Sequence, residues 1–594
     1  MGAIAGWITP ARNAPDPAAI VPALEALGHR GARGMSCGDG IYVAHTDSGH
    51  QVVLAQPFCD EADNAVILDG TLVNHADLRT QLALRGFAAA GDTTRVLLNA
   101  YEQWDKDVVH HLRGAFALAL WDAGRERLLL ARDRFGEKPL YLCEREGTLY
   151  FASEIRALLK MPGVAALADP GAVHDYLAYR YVPAPRTLIS GVRKLMPGSY
   201  ALWQFGRLRE VRYWSSPDRV PHTGQPLADP VGAFTEKLTE AVEIRNQGAG
   251  ILLSGGIDSA ALVALATKNG ARPKTFSAGL ADDPQSELPR AAAVAKHFGT
   301  DHHEIVLSPH DVVAALEYTV IQRDAPLSRP ADVALHLIAR EAARHVSAVL
   351  TGDGGDELLG GYRRHVAERH GWCFRGLPTL LFLAGPLARS RPQLQTAFDS
   401  LRTRDSRKRL VRWIGATGTH EIDHLLGEKT DLPPFDADPR ASSLRQALYF
   451  DQASWLPDNV LERGDRVAMA ESLETRAPFL DHKLAELVSA LPDHARVHGL
   501  ETKWILRQAL KPLLGALKPR KGGWRVPVGA WLRGELREYL LDNLRGGGSM
   551  TRCYYESKAL DRVIDEHLAG RRNHETILWT LLNLEIWHRT CLRA

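Results

Sequence analysis

One short turn constrains the fold of this chain more than any other feature of its sequence. Ser254-Gly255-Gly256-Ile257-Asp258-Ser259 follows an apolar run typical of a buried strand and opens a helical pattern. Glycines let the backbone approach a ligand closely, and the free N–H groups at the start of a helix bind anions. The hydroxyl groups of Ser254 and Ser259 add donors, so the turn predicts a phosphate-binding loop. It lacks the Gly-Lys-Ser/Thr ending of a Walker A loop, which argues against γ-phosphate transfer of that kind.

A second turn repeats this arrangement further along the chain. Thr351-Gly352-Asp353-Gly354-Gly355-Asp356-Glu357 follows the strand pattern of residues 348–350. Either turn alone could be a plain capped or acidic turn, but in a parallel sheet both would lie at the carboxyl edge, where ligands bind. Asp258 would repel a bare phosphate, so we expect it to hold Mg²⁺ together with Asp356. The two turns together predict a site for nucleotide phosphates and Mg²⁺.

The order of predicted elements divides the chain into two domains. A single core seldom grows beyond about 250–300 residues, and this chain has 594. The first ~200 residues alternate short β-like runs with two helical patterns, which indicates a layered α+β domain. Residues 215–230 contain four prolines and few apolar side chains, as a linker would. From Val231 strands alternate with helices, which indicates a parallel sheet covered on both faces, and the last ~230 residues read as mainly helical.

The composition excludes several classes of partner. The 72 basic and 70 acidic side chains leave a formal charge of +2, so no bulk field attracts nucleic acid or anionic lipid. No apolar run approaches the ~20 residues of a membrane span, and the N-terminus does not read as a secretory signal. The six cysteines are scattered and form no C-x-x-C pair. We therefore expect reduced thiols in a cytoplasmic protein with no nucleic-acid or membrane partner.

Several motifs in this order resemble the asparagine synthetase family. Ser254–Ser259 resembles the PP-loop of ATP pyrophosphatases, and further matching segments lie at 181–187, 275–279, 299–304, 352–362, 464–482, 501–507 and 521–531. The resemblance is weak only near residues 377–440. It implies a four-layer α+β sandwich like that of N-terminal-nucleophile hydrolases over 1–205, a glutaminase-like domain. The resemblance also implies a linker over 206–230. It implies an α/β PP-loop ligase domain over 231–594, with a parallel sheet and a largely helical C-terminal part.

The resemblance also assigns roles to individual residues. Family members adenylate a carboxylate with ATP, release pyrophosphate, and let a nitrogen nucleophile displace AMP. Mg²⁺ on Asp258 and Asp356 would lie on the pyrophosphate. Lys521 matches the lysine that contacts phosphate and the developing charge, Lys503 matches a second such lysine, and Asp353 is a candidate to receive a proton from the amine. The ATP site that the resemblance implies consists of Leu252, Ser254, Gly255, Gly256, Asp258, Ser259, Ser277 and Gly352.

The N-terminal half resembles a class II glutaminase whose catalytic residues have been replaced. That chemistry requires a cysteine as the first mature residue, and this chain has Gly2 there. Glycine offers no side chain to attack an amide. The family's Asn-Gly-Glu turn reads Asp69-Gly70-Thr71, so a donor for the oxyanion becomes an acceptor and a counter-charge for the glutamine α-amine is lost. No arginine lies between Arg33 and Arg79, where the family binds the glutamine carboxylate. We therefore expect no glutaminase activity.

A further departure concerns the acceptor pocket. The family's Asp-Glu-Pro-Phe-Ala-Asp-Pro-Ser stretch reads Asp324 to Ala331 as D-A-P-L-S-R-P-A, which loses two acids and gains Arg329. This change either recasts the substrate pocket or is neutral drift. We expect ATP-dependent amide formation from a small-molecule or peptide carboxylate with ammonia or a substrate amine. An ammonia-dependent asparagine synthetase, a macrolactam cyclase of the lasso-peptide type and an inactive scaffold are alternatives. Family members are often dimers, so the resemblance also allows a homodimer.

Overall fold

We describe a computed structural model of the chain. It describes residues 2–9, 15–38, 41–47, 58–87, 92–222, 224, 227–280, 286–375, 399–400, 402–427, 429, 432, 435–515, 517, 519 and 526–592. Lys521, one of the predicted site residues, lies outside this part of the chain.

The N-terminal domain contains two six-stranded antiparallel sheets that pack face to face. In spatial order the strands of the first sheet are Val192–Lys194, Tyr141–Arg145, Thr148–Ala152, Gly2–Ile8, Ile41–Asp47 and Ala32–Gly38. Those of the second are Arg207–Arg212, Ser199–Gln204, Arg127–Arg132, Gly114–Asp122, Ala65–Leu72 and Phe58–Cys59. Their facing side chains form one apolar core, which includes Ile4, Ile67, Leu130 and Phe151.

Helices cover the outer face of each sheet. Val21–Ala26 and Ile155–Leu158 pack over the first sheet, and His75–Ala83 with Thr93–Trp104 covers the second. The result has four layers, with helix, sheet, sheet and helix in turn. The sheet continues past residue 205, because Arg207–Arg212 pairs with Ser199–Gln204 as a hairpin. The segment 206–230 that was predicted as a linker therefore includes the second strand of this hairpin, whose many charged residues do not resemble a buried strand.

The C-terminal domain is built on a five-stranded parallel sheet. Its strands, in spatial order, are Asp301–Leu307, Lys274–Leu280, Gly250–Leu252, Ala348–Leu350 and Glu474–Arg476. The helices between and before these strands are Pro230–Glu243, Ile257–Ala266, Leu288–Phe298, Pro309–Arg323 and Ala331–Ala342. The central strand Gly250–Leu252 pairs with neighbours on both sides, so the turn that follows it lies at the middle of the carboxyl edge.

The rest of the C-terminal domain is mainly helical. Its helices are Gly355–Leu359, Arg363–Arg375, Ser406–Ile414, Thr419–Leu426, Ser443–Phe450, Glu462–Met469, His482–Ser489, Trp504–Leu514, Val528–Trp531, Arg537–Leu544, Ser557–Leu568 and Glu575–Cys591. A π-helix, Asp451–Leu461, joins two of them. Long π-helices are rare, and π-turns occur frequently at functional sites. Within the described ranges, no helix is both long and apolar enough to cross a bilayer.

Candidate functional site

The two predicted turns lie side by side at the carboxyl edge of the parallel sheet. Ile251 is in register with Leu350, so the turns that follow these strands leave the sheet together. Helix Ile257–Ala266 begins directly after the first turn, with Gly256 as its N-cap. Leu252 ends the central strand, and Ser277 lies on the neighbouring strand Lys274–Leu280. The fold therefore brings the predicted phosphate loop and the acidic turn to one edge.

The serines of the phosphate loop hold its shape. The Ser259 hydroxyl donates to the Gly256 carbonyl at 3.2 Å, and the Gly256 N–H donates to Ser254 Oγ at 3.3 Å. The Ser277 hydroxyl donates to the Leu253 carbonyl at 2.5 Å, which ties the loop to the next strand. A loop fixed in this way presents its N–H groups at the positive end of a helix, where an anion binds.

Asp258 and Asp356 converge on a single cation in this structure, the ammonium group of Lys503. Lys503 Nζ lies 2.6 Å from Asp356 Oδ1 and also pairs with Asp258 Oδ2. Burial alone would lower the pKa of Lys503, but the two carboxylates outweigh it and raise the pKa. The Lys503 backbone has φ of 54°, in the left-handed region. Strained backbone of this kind is concentrated at functional sites.

Close approach at Gly361 makes this convergence possible. A Cβ at this position would lie 2.1 Å from Lys503 Cε and would overlap Asp356 Oδ1. A side chain at this position would therefore separate the ammonium from its carboxylate.

The two carboxylates also fit Mg²⁺. Because one ammonium reaches both, they are close enough to share a cation. Mg²⁺ in nucleotide sites is typically held by one or two carboxylates plus phosphate oxygens and waters. In the part of the chain that the structure describes, no group of three or more histidine, cysteine, aspartate or glutamate side chains forms a metal cluster. Asp258 and Asp356 are the residues that would hold such an ion, together with phosphate oxygens.

Asp353 lies on the other side of the acidic turn, beside a small cavity between the two domains. Lys138 and Glu137 of the N-terminal domain line this cavity together with Thr351 and Asp353. Burial raises the pKa of Asp353, although the charge of Arg463 opposes the increase. A carboxyl group whose pKa is raised toward neutrality is suited to exchange a proton with an amine.

Arg463 is a residue that the sequence analysis missed. It donates to Asp332 Oδ1 at 2.7 Å and acts electrostatically on Asp353. It directly precedes the matched segment that begins at Gly464. That position is the only sequence signal for it, since its partners Asp332 and Asp353 are more than a hundred residues distant.

In the N-terminal domain, the chain packs tightly where a nucleophile would be required. Gly2 is the first residue of the central strand Gly2–Ile8 and pairs with Asp47. A Cβ built on Gly2 would lie 1.3 Å from the Thr46 carbonyl oxygen and 2.8 Å from His45 Nε2. The strand beside Gly2 therefore occupies the space that any side chain at residue 2 would need.

Asp69, in the Asp69-Gly70-Thr71 turn, belongs to a buried cluster of charges. The Ser153 hydroxyl donates to Asp69 Oδ2 at 2.9 Å, and Arg30 Nη1 lies 3.8 Å from the same oxygen. Burial raises the pKa of Asp69, and Lys138 and Arg30 oppose this increase. Arg30 also donates to Asp465 of the C-terminal domain at 2.6 Å. The position at which the family stabilises an oxyanion is here part of a buried ion network.

This network joins the two domains, and we call it the interdomain ion network. Lys138 Nζ donates to Asp465 Oδ1 at 2.6 Å, and Arg466 Nη1 lies 2.9 Å from Glu154 Oε1. Two further contacts cross the same interface. Thr71 donates to Glu474 at 3.1 Å, beside Gly70, and Arg113 Nε and Nη2 donate to the two Asp481 carboxylate oxygens at 2.8 and 2.9 Å.

These features define a class of two-domain protein. An amidotransferase-type sandwich is joined by buried ion pairs to a parallel-sheet domain whose phosphate loop and acidic turn share one edge. A family description of a glutamine amidotransferase domain matches residues 1–214, and one of asparagine synthase matches residues 233–589. The chain belongs to the asparagine synthase family, whose members are C–N ligases that form amides with ATP.

Individual relatives agree over most of the chain. A Mycobacterium tuberculosis protein named putative asparagine synthetase [glutamine-hydrolyzing] is 34% identical, with 88% of this chain and 84% of the relative covered. Asparagine synthetase [glutamine-hydrolyzing] 1 of Bacillus subtilis is 28% identical, with 88% and 85% covered. A Penicillium rubens protein named amidase chyE is 28% identical, with 77% and 76% covered.

Proposed function

We propose that this enzyme forms an amide bond through an acyl-adenylate, and that it takes its nitrogen from ammonia or a substrate amine instead of glutamine. Two observations support the proposal. The phosphate loop is held by its own hydrogen bonds, and Asp258 and Asp356 both pair with Lys503 beside it. The proposal that glutamine is not the nitrogen source depends on Gly2, where the Thr46 carbonyl oxygen occupies the place of a side chain.

The ligase half would work by charge compensation. A carboxylate that attacks an anionic phosphate must overcome repulsion, so cations at the site lower the barrier. The N–H groups of Gly255 and Gly256 and the start of helix Ile257–Ala266 would bind the pyrophosphate part of ATP. Asp258 and Asp356 would hold Mg²⁺, which when bound supplies positive charge next to the phosphates. The Lys503 ammonium pairs with both carboxylates, and Lys521 is expected to contact the phosphate.

Asp353 would then act on the nitrogen nucleophile. It is half-buried, its pKa is raised, and it borders the cavity between the domains. An amine that attacks the activated carboxyl must lose a proton, and a carboxylate with a raised pKa is the better base. Arg463 is a positioning residue in this scheme. Its positive charge acts on Asp353, but Arg463 does not accept the proton.

The glutaminase half would be inactive for three separate reasons. Residue 2 has no thiol, Asp69 is tied into an ion network, and Thr71 donates to Glu474. Amide hydrolysis would need an attacking group and a donor for the oxyanion. Two curated relatives carry the words glutamine-hydrolyzing in their names, so this proposal sets the present chain apart from them.

The experiment offers the purified protein ATP, Mg²⁺ and aspartate, with either ammonium or glutamine, and follows pyrophosphate, asparagine and glutamate. Asparagine from ammonium alone would identify an ammonia-dependent asparagine synthetase. Asparagine or glutamate from glutamine would contradict the inactive-glutaminase proposal. If neither nitrogen source yields asparagine, peptide carboxylates with an internal amine are tested next, which examines the macrolactam alternative. Fungal relatives named amidases support testing acceptors beyond aspartate.

A further inference from the structure

Arg290 is a cation beside the phosphate loop that the adenylation scheme does not use. It lies in the first turn of helix Leu288–Phe298, which follows strand Lys274–Leu280. A Cβ built on Gly255 would lie 2.7 Å from Arg290 Cβ and 2.8 Å from the backbone nitrogen of Ala291. The Arg290 side chain therefore leaves its helix directly against the loop that is expected to bind the pyrophosphate part of ATP.

Gly255 makes this close approach possible. Its φ of 69° lies in the left-handed region that favours glycine, and its lack of a side chain admits the backbone of helix Leu288–Phe298. Ala291, the neighbour of Arg290, is fully buried, which anchors the first turn of this helix. The stem of the Arg290 side chain thus has a fixed starting point beside the loop.

Two donors of the Arg290 guanidinium are buried without an acceptor. Nε and Nη2 have no hydrogen-bond partner, and within the described part of the chain no carboxylate pairs with this side chain. Arg466 also has buried nitrogens of this kind, but Glu154 Oε1 lies 2.9 Å from its Nη1. A buried donor that lacks an acceptor costs about 1–3 kcal/mol. Two of them on one side chain call for a functional explanation.

These two donors have the geometry that binds one oxyanion. Nε–H and Nη2–H lie along one edge of the planar guanidinium, which pairs with two oxygens of a carboxylate or phosphoryl group. Arg113 uses this edge, since its Nε and Nη2 donate to the two Asp481 oxygens at 2.8 and 2.9 Å. Arg440 binds Asp438 in the same way, at 3.0 and 2.7 Å. Arg290 therefore offers a complete binding edge for an oxyanion.

The surroundings of Arg290 favour a phosphoryl group as this oxyanion. The N–H groups at the start of helix Ile257–Ala266 bind anions, and Gly255 precedes that helix by one residue. The carboxylates of the acidic edge, Asp258 and Asp356, already pair with Lys503. A fixed cation at this loop would stabilise the negative charge that develops on a departing pyrophosphate.

We propose that Arg290 binds the pyrophosphate part of ATP through Nε–H and Nη2–H, and that it stays bound to pyrophosphate once this group has left. This inference rests on the proposed function and adds to the phosphate loop a cation from helix Leu288–Phe298. The ligand class is a polyphosphate, either the β- and γ-phosphoryl groups of ATP or free pyrophosphate. The α-phosphoryl group, which remains in the acyl-adenylate and in AMP, is not a ligand of Arg290.

Calorimetric titration with inorganic pyrophosphate in the presence of Mg²⁺ tests the inference without a carboxylate substrate. Arg290→Met should weaken pyrophosphate binding by about ten- to hundredfold, with Arg290→Lys in between because it keeps the charge but loses the paired donors. AMP should bind wild type and both variants alike. Arg272→Met is the matched control and should bind pyrophosphate as wild type does, because Arg272 is exposed and precedes strand Lys274–Leu280, at the opposite edge of the sheet.

Thermal unfolding separates a binding role from a structural one. Without ligand, Arg290→Met removes two unsatisfied buried donors, so its melting temperature should equal or exceed that of wild type. Pyrophosphate should raise the melting temperature of wild type and of Arg272→Met, but that of Arg290→Met much less.

Three results would overturn the inference alone: pyrophosphate binding by Arg290→Met within twofold of wild type, an equal loss of AMP binding, or a ligand-free Arg290→Met that melts clearly below wild type. A wild type that binds no pyrophosphate would overturn it together with the phosphate loop of the proposed function. Pyrophosphate binding that depends on Arg290, without amide formation from any substrate pair, would count against the proposed function alone.

Discussion

At the residue scale, Lys503 matters most for interpreting the site, because its ammonium group pairs with both Asp258 and Asp356. A lysine ammonium between two carboxylates can be a structural ion pair, yet here it sits on strained backbone beside a phosphate loop. A buried pair held only for stability could be replaced by apolar side chains at little cost. The geometry instead leaves two carboxylates that can exchange one cation for another.

Removing one of these carboxylates should abolish adenylation. Asp258→Asn keeps the shape of the side chain but removes the charge that would hold Mg²⁺. We expect ATP–pyrophosphate exchange to fall by at least about 100-fold, with the far-ultraviolet circular dichroism spectrum unchanged. Asp301→Asn, which alters an exposed aspartate paired with Lys274, is the matched control. Full activity in Asp258→Asn would show that Asp258 holds no ion in the reaction.

Gly2 makes a second prediction at this scale. Gly2→Ala adds one methyl group against the Thr46 carbonyl oxygen, so the strand must shift. Overpacking of this kind costs about 1–3 kcal/mol, and the melting temperature should fall accordingly. Gly124→Ala, where a Cβ would meet only Asp122 Oδ1 at 3.7 Å, should melt like wild type.

A cysteine at the same position tests the proposal that the N-terminal domain hydrolyses no glutamine. Gly2→Cys should release no glutamate from glutamine, because Asp69 and Thr71 still differ from the family's residues and the Thr46 carbonyl oxygen occupies the space of a side chain at residue 2. Measurable glutamate release would show that the thiol was the only group missing.

At the scale of elements, helix Glu462–Met469 joins the two halves. It carries Asp465 and Arg466 into the interdomain ion network, where Asp465 meets both Arg30 and Lys138. Removing one member of a buried pair leaves the other charge uncompensated and costs about 3–5 kcal/mol. The effect should exceed that of any exposed pair on the surface.

Thermal unfolding of Asp465→Asn and Lys138→Met tests this element. Each single variant should lose several kcal/mol, and the double variant should lose less than the sum, because either single variant already removes the contact between Lys138 and Asp465. Glu341→Gln, which breaks an exposed pair with Arg344, should lose at most about 1 kcal/mol. Equal losses for the buried and exposed pairs would contradict a stabilising interdomain ion network.

The strands of the parallel sheet show which elements could be predicted from the sequence and which could not. Four strands of the parallel sheet were predictable, because runs such as Gly250–Leu252 are apolar and end in glycine turns. The fifth, Glu474–Arg476, is a polar tripeptide that becomes a strand only by pairing with Ala348–Leu350. Likewise, Asp258 and Asp356 follow strands, so their meeting was predictable. Lys138 and Asp465 lie 327 positions apart, and only docking of the finished domains brings them together.

At the scale of the whole molecule, carboxylates at the domain interface make stability depend on pH. Burial alone would raise the pKa of Asp465, but Arg30 and Lys138 lower it to about 2; Arg245 and Arg113 lower the pKa of Asp481 to about 2 against the same burial effect. An unfolded aspartate has a pKa of about 3.9. Because the folded pKa is depressed, these groups stabilise the protein fully above about pH 4, and the contribution is lost as pH falls toward 2.

Melting temperatures measured from pH 7 down to pH 2 check this prediction. Wild type should lose stability steeply between about pH 4 and pH 2. Asp465→Asn starts lower at pH 7 and should show a shallower decline, because one of the titrating groups is gone. A decline of equal steepness in both proteins would exclude Asp465 as a source of the acid sensitivity.

The interdomain ion network also determines what can be trimmed from this protein. If the N-terminal domain hydrolyses no glutamine, one could expect a fragment beginning at residue 213 to be sufficient for the ligase reaction. That fragment would retain three acidic residues of the interface and lose their donors in the N-terminal domain. Asp465 would lose Arg30 and Lys138, Glu474 would lose Thr71, and Asp481 would lose Arg113. Asp481 and Glu474 would keep Arg245 and Arg476 as partners, but Asp465 would be left with neither Arg30 nor Lys138. The N-terminal domain thus supplies the cations that pair with acidic side chains of the C-terminal domain.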